Sequence, residues 1–227
     1  MITVLSRASF ALDSSETVYS AEDYQFILLE DGTAKIIKYT GKDKEVVLPE
    51  KLNNETVSTI GNETFRLQSG IERIVIPASI SVIESNPFVG CKYLNSFYLA
   101  PNHPTLAIID GVLYSKSDKR LIICPRNTSS CEVPQGIRII EDAAFENCKN
   151  LSKVSIPDSV SSIGNLAFSG CSSLTSIEIP DSVLSIGNSA FYSCNSLTSI
   201  EIPESVSSIG ECTFTDCGKL ESIAGFS

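Results

Sequence analysis

Eight cysteines are the residues of this 227-residue chain that could most readily do chemistry, as nucleophiles, disulfide partners or metal ligands. Zinc ligands usually lie about two to four residues apart, and no two of the five cysteines that share one repeat position have that spacing. These five are Cys91, Cys148, Cys171, Cys194 and Cys217. We therefore predict a buried column of free thiols that act as small apolar side chains, with no bound metal and no cofactor. The sequence leaves a disulfide between Cys124 and Cys131 open.

His103 is the only histidine, and it is the residue best suited to general acid–base catalysis near neutral pH. It lies in the segment Pro-Asn-His-Pro, and the sequence places no particular serine or cysteine beside it. We interpret it as a solvated turn residue. Glu178 and Glu201 occupy one outward position in consecutive repeats, where parallel carboxylates would not converge on a cation that needs about six to eight oxygens. We therefore expect no catalytic residues and no enzyme.

These residues all lie within a repeat of 23 residues. Its most regular part is marked by four leucines: Leu151, Leu174, Leu197 and Leu220. The shared unit is L-x-x-I-x-I-P-x-S-V-x-S-I-G-x-x-A-F-x-x-C, and such a period is typical of a solenoid, in which each coil buries its apolar residues against its neighbours. The unit predicts a strand that ends at the proline, a second strand over S-V-x-x-I, and one helical turn over A-F-x-x-C. The glycine before that turn, at Gly164, Gly187 and Gly210, is expected to permit a tight turn.

The register divides the chain into three parts. Residues 1–22 are interpreted as a leader, which is either disordered or the remnant of a signal peptide. Residues 23–42 predict a β-hairpin with Asp31-Gly32 at its tip, which would cap the open apolar edge of the first coil. Residues 43–227 form the predicted solenoid. One of its repeats is eleven residues too long, and the segment near 107–123 is interpreted as a protruding insertion of short strands.

Residues 174–196, with the sequence LTSIEIPDSVLSIGNSAFYSCNS, resemble the leucine-rich repeat of the BspA-like bacterial surface proteins, also called the treponemal type. The resemblance covers nearly the whole chain after about residue 20. It implies a right-handed leucine-rich-repeat solenoid that is mainly β, with short helical turns and about 23 residues per coil. It also implies a secreted or cell-surface location and the binding of host or neighbouring-cell proteins. The family has no catalytic motif that could be carried over.

The formal net charge of −10 argues against a nucleic-acid partner, because phosphate binding needs clustered lysines and arginines. No apolar run approaches the roughly 18 residues that a membrane-spanning helix needs, so direct membrane insertion is not expected. A protein or glycan ligand fits better, since extended repeat surfaces and insertions within a repeat are common binding sites. The predicted partner-binding surface combines outward strand positions with the insertion: Glu72, Arg73, Tyr98, Asp110, Tyr114, Lys116, Lys153, Glu178 and Glu201.

Two functions agree with these patterns. The first is an adhesin-like, monomeric module of a secreted or surface-attached protein, which binds its ligand through this predicted surface. On that hypothesis, deleting residues 108–120 should weaken binding and leave a folded solenoid. The second is a non-binding spacer or stalk within a longer surface protein.

Overall fold

The computed structural model describes residues 17–225, which form strands and turns. Twenty short strands follow one another along the chain: β1 (Tyr19–Ala21), β2 (Tyr24–Leu28), β3 (Ala34–Tyr39), β4 (Glu45–Val47), β5 (Lys51–Leu52), β6 (Glu55–Ile60), β7 (Arg73–Ile76), β8 (Val82–Ile83), β9 (Ser96–Leu99), β10 (Leu106–Ile109), β11 (Val112–Ser115), β12 (Arg120–Ile123), β13 (Ser130–Glu132), β14 (Ile139–Ile140), β15 (Lys153–Ser155), β16 (Ser162–Ile163), β17 (Ser185–Ile186), β18 (Ser199–Glu201), β19 (Ser208–Ile209) and β20 (Ser222–Ala224). Within this part of the chain there is no helix long and apolar enough to cross a membrane.

Each coil of the chain contributes to three walls. The first wall contains the strands that follow the repeat leucine position: β4, β7, β9, β13, β15, β18 and β20. The second wall contains the strands that precede the repeat glycine position: β6, β8, β12, β14, β16, β17 and β19. The third, the turn wall, holds the repeat phenylalanine and cysteine. In the second wall Ser162 lies opposite Ser185, and Ser185 opposite Ser208, in parallel strands at the 23-residue spacing of the sequence. This register confirms the leucine-rich-repeat solenoid.

The centre of the core is a stack of equivalent phenylalanines. Phe145, Phe168, Phe191 and Phe214 stack ring on ring, with centroid distances of 4.8, 5.3 and 5.8 Å. Their segment forms successive turns in place of the expected helical turn, because the Phe168 N–H donates to the Ala190 carbonyl of the next coil at 2.7 Å. Each phenylalanine is therefore covered by its neighbour, and one coil alone could not bury this set.

The repeat glycine is required by the close approach of two coils, and not by the tight turn that we expected. Gly164 and Gly187 both lie outside the left-handed backbone region that favours glycine. A Cβ at Gly187 would come within 2.5 Å of the backbone nitrogen of Asn165 in the preceding coil. A Cβ at Gly164 would come equally close to the backbone nitrogen of Asp142, at 2.5 Å. The glycine thus lets the second wall run directly against the backbone of the previous coil.

The cysteine column is buried as predicted, apart from a half-exposed Cys217 at its end. All eight cysteines are free thiols, including Cys124 and Cys131. The thiol of Cys194 donates to the Phe168 carbonyl of the preceding coil at 3.1 Å, and Cys217 repeats this contact one coil later. Burial raises the pKa of Cys194 to about 12, so its thiol is protonated and unreactive at neutral pH. The column therefore holds coils together and does not do chemistry.

The N-terminal hairpin caps the solenoid, and it is larger than predicted. β2 and β3 pair antiparallel around a turn at Asp31–Gly32, in which Gly32 has a φ of 80°. β1 pairs with the outer edge of β2, so residues 19–21 belong to the cap and not to a leader. β3 pairs in parallel with β6 and thereby joins the cap to the second wall. Residues 1–16 of the predicted leader lie outside the described residues.

The insertion is part of the core and does not protrude as expected. Strands β10, β11 and β12 pair antiparallel around two turns, the first at Asp110-Gly111. All four residues of β11 are buried. Leu113 packs with the N-terminal half of the core, whereas Val112 and Tyr114 pack with the C-terminal half. The insertion thus joins the two halves of the solenoid. Deleting residues 108–120 would remove buried core residues, so the expectation that the deletion leaves a folded solenoid is wrong.

Two arginines bridge the coils on either side of the insertion. The Arg120 guanidinium donates to a carbonyl of β8 at 2.7 Å and pairs with the Glu141 carboxylate at 2.7 Å. Arg126 is buried and donates to the Cys91 carbonyl at 3.4 Å and to the backbone carbonyl of Glu146. β8 and Cys91 precede the insertion, whereas both glutamates follow it. These contacts connect the coils before and after the insertion, where the strands of the first wall do not pair.

Candidate binding surface

Most of the predicted site residues lie on the outward face of the first wall. In each repeat, the position between the two inward-facing apolar residues of the strand segment points to solvent, because side chains alternate in direction along a strand. Along the wall this position is occupied by Val47, Val75, Tyr98, Glu132, Ser155, Glu178 and Glu201. The N-terminal half of the face is therefore apolar and aromatic, and the C-terminal half is mostly acidic.

Arg73 and Tyr98 form the most organised group on this face. The guanidinium carbon of Arg73 lies 5.2 Å from the centroid of the Tyr98 ring, a cation–π contact that holds the ring in place. The same guanidinium pairs with the Glu45 carboxylate at 3.1 Å. Beside it, Lys44 and Glu72 form an exposed ion pair at 2.7 Å. Exposed pairs of this kind contribute little to stability, so their charges are available to a partner.

A groove of about 410 Å³ lies next to this group, between β9 and β10. Tyr98 and Leu99 line one side of it, and Leu106 and Ile108 line the other. Among the described strands, β9 pairs only with β7 and β10 pairs only with β11, so the second edge of each strand has no strand hydrogen-bonded to it, although β9 and β10 lie beside each other. The first wall is interrupted here, since β13 of the next coil pairs with β15 and not with β9. The groove is the gap left by the interrupted register.

Lys116 and His103 lie at one end of the groove. The Lys116 ammonium donates to the backbone carbonyl of His103. His103 is only 3 % exposed. The Nδ1 atom of its ring accepts a hydrogen bond from the Leu106 N–H at 3.2 Å. The proton is therefore on Nε2, which donates to the Pro77 carbonyl at 3.2 Å. Burial lowers the pKa of His103, which keeps the ring neutral at pH 7. Our interpretation of His103 as a solvated turn residue is wrong. Its ring is buried and hydrogen-bonds both to Leu106 at the start of β10 and to Pro77 in an earlier coil.

Tyr114 does not belong to the surface. Its side chain is 2 % exposed and packs in the C-terminal half of the core. Burial raises the pKa of its hydroxyl far above the usual range. The prediction of Tyr114 as a binding residue is therefore wrong, since β11 is covered on both faces. Asp110 is exposed at the tip of the hairpin but does not line the groove.

The other predicted residues are exposed but lie apart from the groove. Lys153 lies opposite Ser130 in the ladder between β13 and β15. Glu178 lies opposite Glu201 in an isolated parallel bridge. Over residues 17–225, no three metal-ligating side chains come together in a group that could hold a metal ion. The C-terminal half of the first wall is therefore an acidic strip, whereas Tyr98 and Lys116 line a concave site.

Sequence reasoning missed the two open strand edges. One available signal was Ala100, which stands where the other repeats have proline, immediately before the register breaks. A second signal was the composition of the two strands. β9 reads Ser-Phe-Tyr-Leu and β10 reads Leu-Ala-Ile-Ile, without the charges or prolines that usually protect an edge.

Comparisons with known proteins agree with the solenoid fold. The family model described as the BspA type leucine rich repeat region matches residues 44–130 and 123–226, in six copies. The solved structure of the pneumococcal vaccine antigen PcpA is 25% identical, with a TM-score of 0.69 over 76% of this chain and 43% of that chain. The chain therefore spans less than half the length of that antigen.

Two further solved structures show the same fold. A leucine rich cell surface protein from Faecalibacterium prausnitzii is 19% identical, with a TM-score of 0.53 over 95% of this chain and 96% of that chain. A leucine-rich repeat protein from Bacteroides ovatus is 23% identical, with a TM-score of 0.51 over 92% of this chain and 57% of that chain. A search of curated proteins gives no significant match.

Proposed function

Because the chain belongs to the BspA-type leucine-rich-repeat family, we propose that it is a binding module of a secreted or cell-surface protein and holds a protein ligand on the first wall. The observation that carries the proposal is the Tyr98 ring, which is 51 % exposed, fixed by Arg73 and placed beside a groove with unpaired strand edges. Tyrosine and arginine are among the residues that contribute most to protein interfaces. An exposed ring that is already ordered loses little entropy on binding.

An adhesin-like role on host or neighbouring cells is the specific form of this function that we propose. One of the similar structures is a cell surface protein and another is a vaccine antigen. The acidic strip around Glu178 and Glu201 favours a partner that is neutral or basic at that end of the wall. Binding is a better proposal than catalysis, because the imidazole of His103 is buried with both ring nitrogens engaged.

The test is a binding panel of purified extracellular-matrix and plasma proteins, measured on the immobilised chain with the denatured chain as reference. Arg73→Ala and Tyr98→Ala should each weaken a specific interaction about tenfold or more, which corresponds to about 1.4 kcal/mol. Tyr93→Ala is the matched control, because Tyr93 is an equally exposed tyrosine (62 %) that does not line the groove. If no panel protein prefers the folded chain, the binding function is refuted and the spacer function takes its place.

A further inference from the structure

We propose that the groove between β9 and β10 binds an extended peptide segment of the partner protein, which adds a strand to the open edge of β9 and places a carboxylate against Lys116. This proposal rests on the proposed function and specifies its ligand. Peptides are recognised in this way when a sheet edge supplies backbone hydrogen bonds and nearby pockets accept alternate side chains.

The open edge of β9 offers a defined set of backbone groups. The Asn95 N–H donates to the Glu72 carbonyl at 2.9 Å, which fixes the residues whose backbone groups face β7. Since these groups alternate along a strand, the N–H and C=O groups of Ser96 and Tyr98 point to the other edge, where no described strand pairs with them. Four residues of strand extend about 13 Å at about 3.3 Å per residue. β9 therefore matches a peptide strand of about four residues.

Both strands that border the groove lack the features that protect open edges. Native edges usually carry lysine or proline, contain a bulge, or lie under another segment. Neither β9 nor β10 has a charged residue or a proline, and Ile109 at the end of β10 is 43 % exposed. An apolar edge of this kind would favour indiscriminate strand pairing on a flat surface. Beside the groove, an extended segment that pairs with this edge would also contact the apolar lining.

The lining of the groove favours a peptide with apolar side chains at alternate positions. Leu99 and Ile108 are partly buried apolar residues on opposite sides, and Tyr98 stands above them at the rim. Side chains of an added strand alternate in direction, so every second one would contact this lining. The groove volume of about 410 Å³ lies within the range of about 300–1,000 Å³ that is usual for ligand sites, so the groove has room for a short segment.

Lys116 selects for a negative charge on the peptide. It carries the only charge among the described residues that line the groove, in a chain whose net charge is −10. One of its three ammonium donors is used on the His103 carbonyl, which leaves two for a ligand. His103 adds no second charge, because its buried ring is neutral. An aspartate, a glutamate or a terminal carboxylate on the peptide would therefore be matched here, and a basic residue would not.

The experiment uses a phage-displayed library of random twelve-residue peptides, selected on the whole chain and counter-selected on its Tyr98→Ala variant. We expect the enriched peptides to combine a short alternating apolar segment with an acidic residue. Synthetic copies should bind the Tyr98→Ala and Lys116→Glu variants at least about tenfold more weakly. Tyr93→Ala and Lys149→Glu should bind like the unchanged chain, because they alter the same residue types at exposed positions outside the groove.

Two further variants test the strand pairing itself. N-methylation of alternate peptide residues removes donors from one edge only, so one series should lose binding and the other should retain it. On the protein, Ser96→Pro removes an N–H from the unpaired edge of β9, and it should lower the affinity about tenfold. Circular dichroism and thermal unfolding of this variant verify that the fold is retained, and the methylated peptides provide the same test without altering the protein.

Several results would overturn the proposal. Equal binding by both methylated series, or no enrichment over the Tyr98→Ala protein, would exclude strand addition at this groove. A concentration-dependent dimer that Tyr98→Ala abolishes would assign the groove to a second copy of the chain, and Tyr98-dependent binding on a glycan array would assign it to a sugar. If a protein of the binding panel is unaffected by Lys116→Glu and Ser96→Pro, the peptide proposal fails while the binding function stands.

Discussion

The Gly187→Ala substitution tests whether the repeat glycine is required by the close approach of two coils. The added methyl group would lie 2.5 Å from the Asn165 nitrogen and 2.6 Å from the Gly164 carbonyl carbon, whereas ordinary contacts are 3.4–4 Å. Both are backbone atoms of the preceding coil, so the clash is relieved only if the coils move apart. Overpacking of this kind costs about 1–3 kcal/mol. At about 2–4 °C per kcal/mol for a chain of this size, the melting temperature should fall by roughly 2–12 °C.

Gly218→Ala is the matched control for this prediction. A Cβ at Gly218 would meet no heavy atom within 4 Å, and the residue lies outside the left-handed backbone region. Alanine here restricts the unfolded chain, so it should stabilise the protein by about 0.4–1 kcal/mol. Thermal unfolding followed by far-ultraviolet circular dichroism measures both variants. A Gly187→Ala protein that melts at or above the temperature of the unchanged chain would refute the close-approach explanation.

Three other predictions concern the buried polar groups. In the folded chain Cys212 alone should react quickly with a thiol reagent, because it is the exposed cysteine. After unfolding without reductant, all eight cysteines should react. Uniform fast reaction of the folded chain would contradict the buried column. The melting temperature should fall as the pH drops below about 6.5. Burial lowers the pKa of His103 from its usual 6.5, so the unfolded chain takes up the proton first. A pH dependence that His103→Gln leaves unaltered would contradict this assignment. Arg126→Met removes the cation beside the Glu146 carboxylate and should cost about 3–5 kcal/mol in urea unfolding. Arg66→Met, at an exposed ion pair, should change stability by less than about 0.5 kcal/mol, and equal effects of the two substitutions would argue against the bridging role of Arg126.

The walls of the solenoid could be predicted because every coil has a neighbour with the same sequence pattern. Once the 23-residue register is known, the pairing of Ser162 with Ser185 and the stacking of Phe168 on Phe191 follow directly. The conformation of the turn wall could not be predicted in the same way. Its segment is compatible with a helix on its own, and hydrogen bonds to the next coil decide in favour of turns.

The binding surface could be predicted only where the register holds. Arg73 and Tyr98 occupy outward positions of regular strands, so their exposure follows from the alternation of side chains. Tyr114 and His103 lie in and beside the insertion, where burial depends on which segments pack over them. The groove depends on the same packing. A sequence shows where a register breaks, but the direction in which the extra residues fold is decided by contacts between distant coils.

Amide hydrogen exchange at Ser96 and Tyr98 tests most directly whether the interrupted register opens a peptide-binding edge on β9. Nuclear magnetic resonance would follow both amides in the free chain and in the chain saturated with a selected peptide, with the exposed Ser176, outside the groove, as reference. Both amides should exchange quickly in the free chain and at least about tenfold more slowly with peptide bound, because they gain hydrogen bonds to the added strand. Unchanged exchange at both residues under saturating peptide would contradict the assignment.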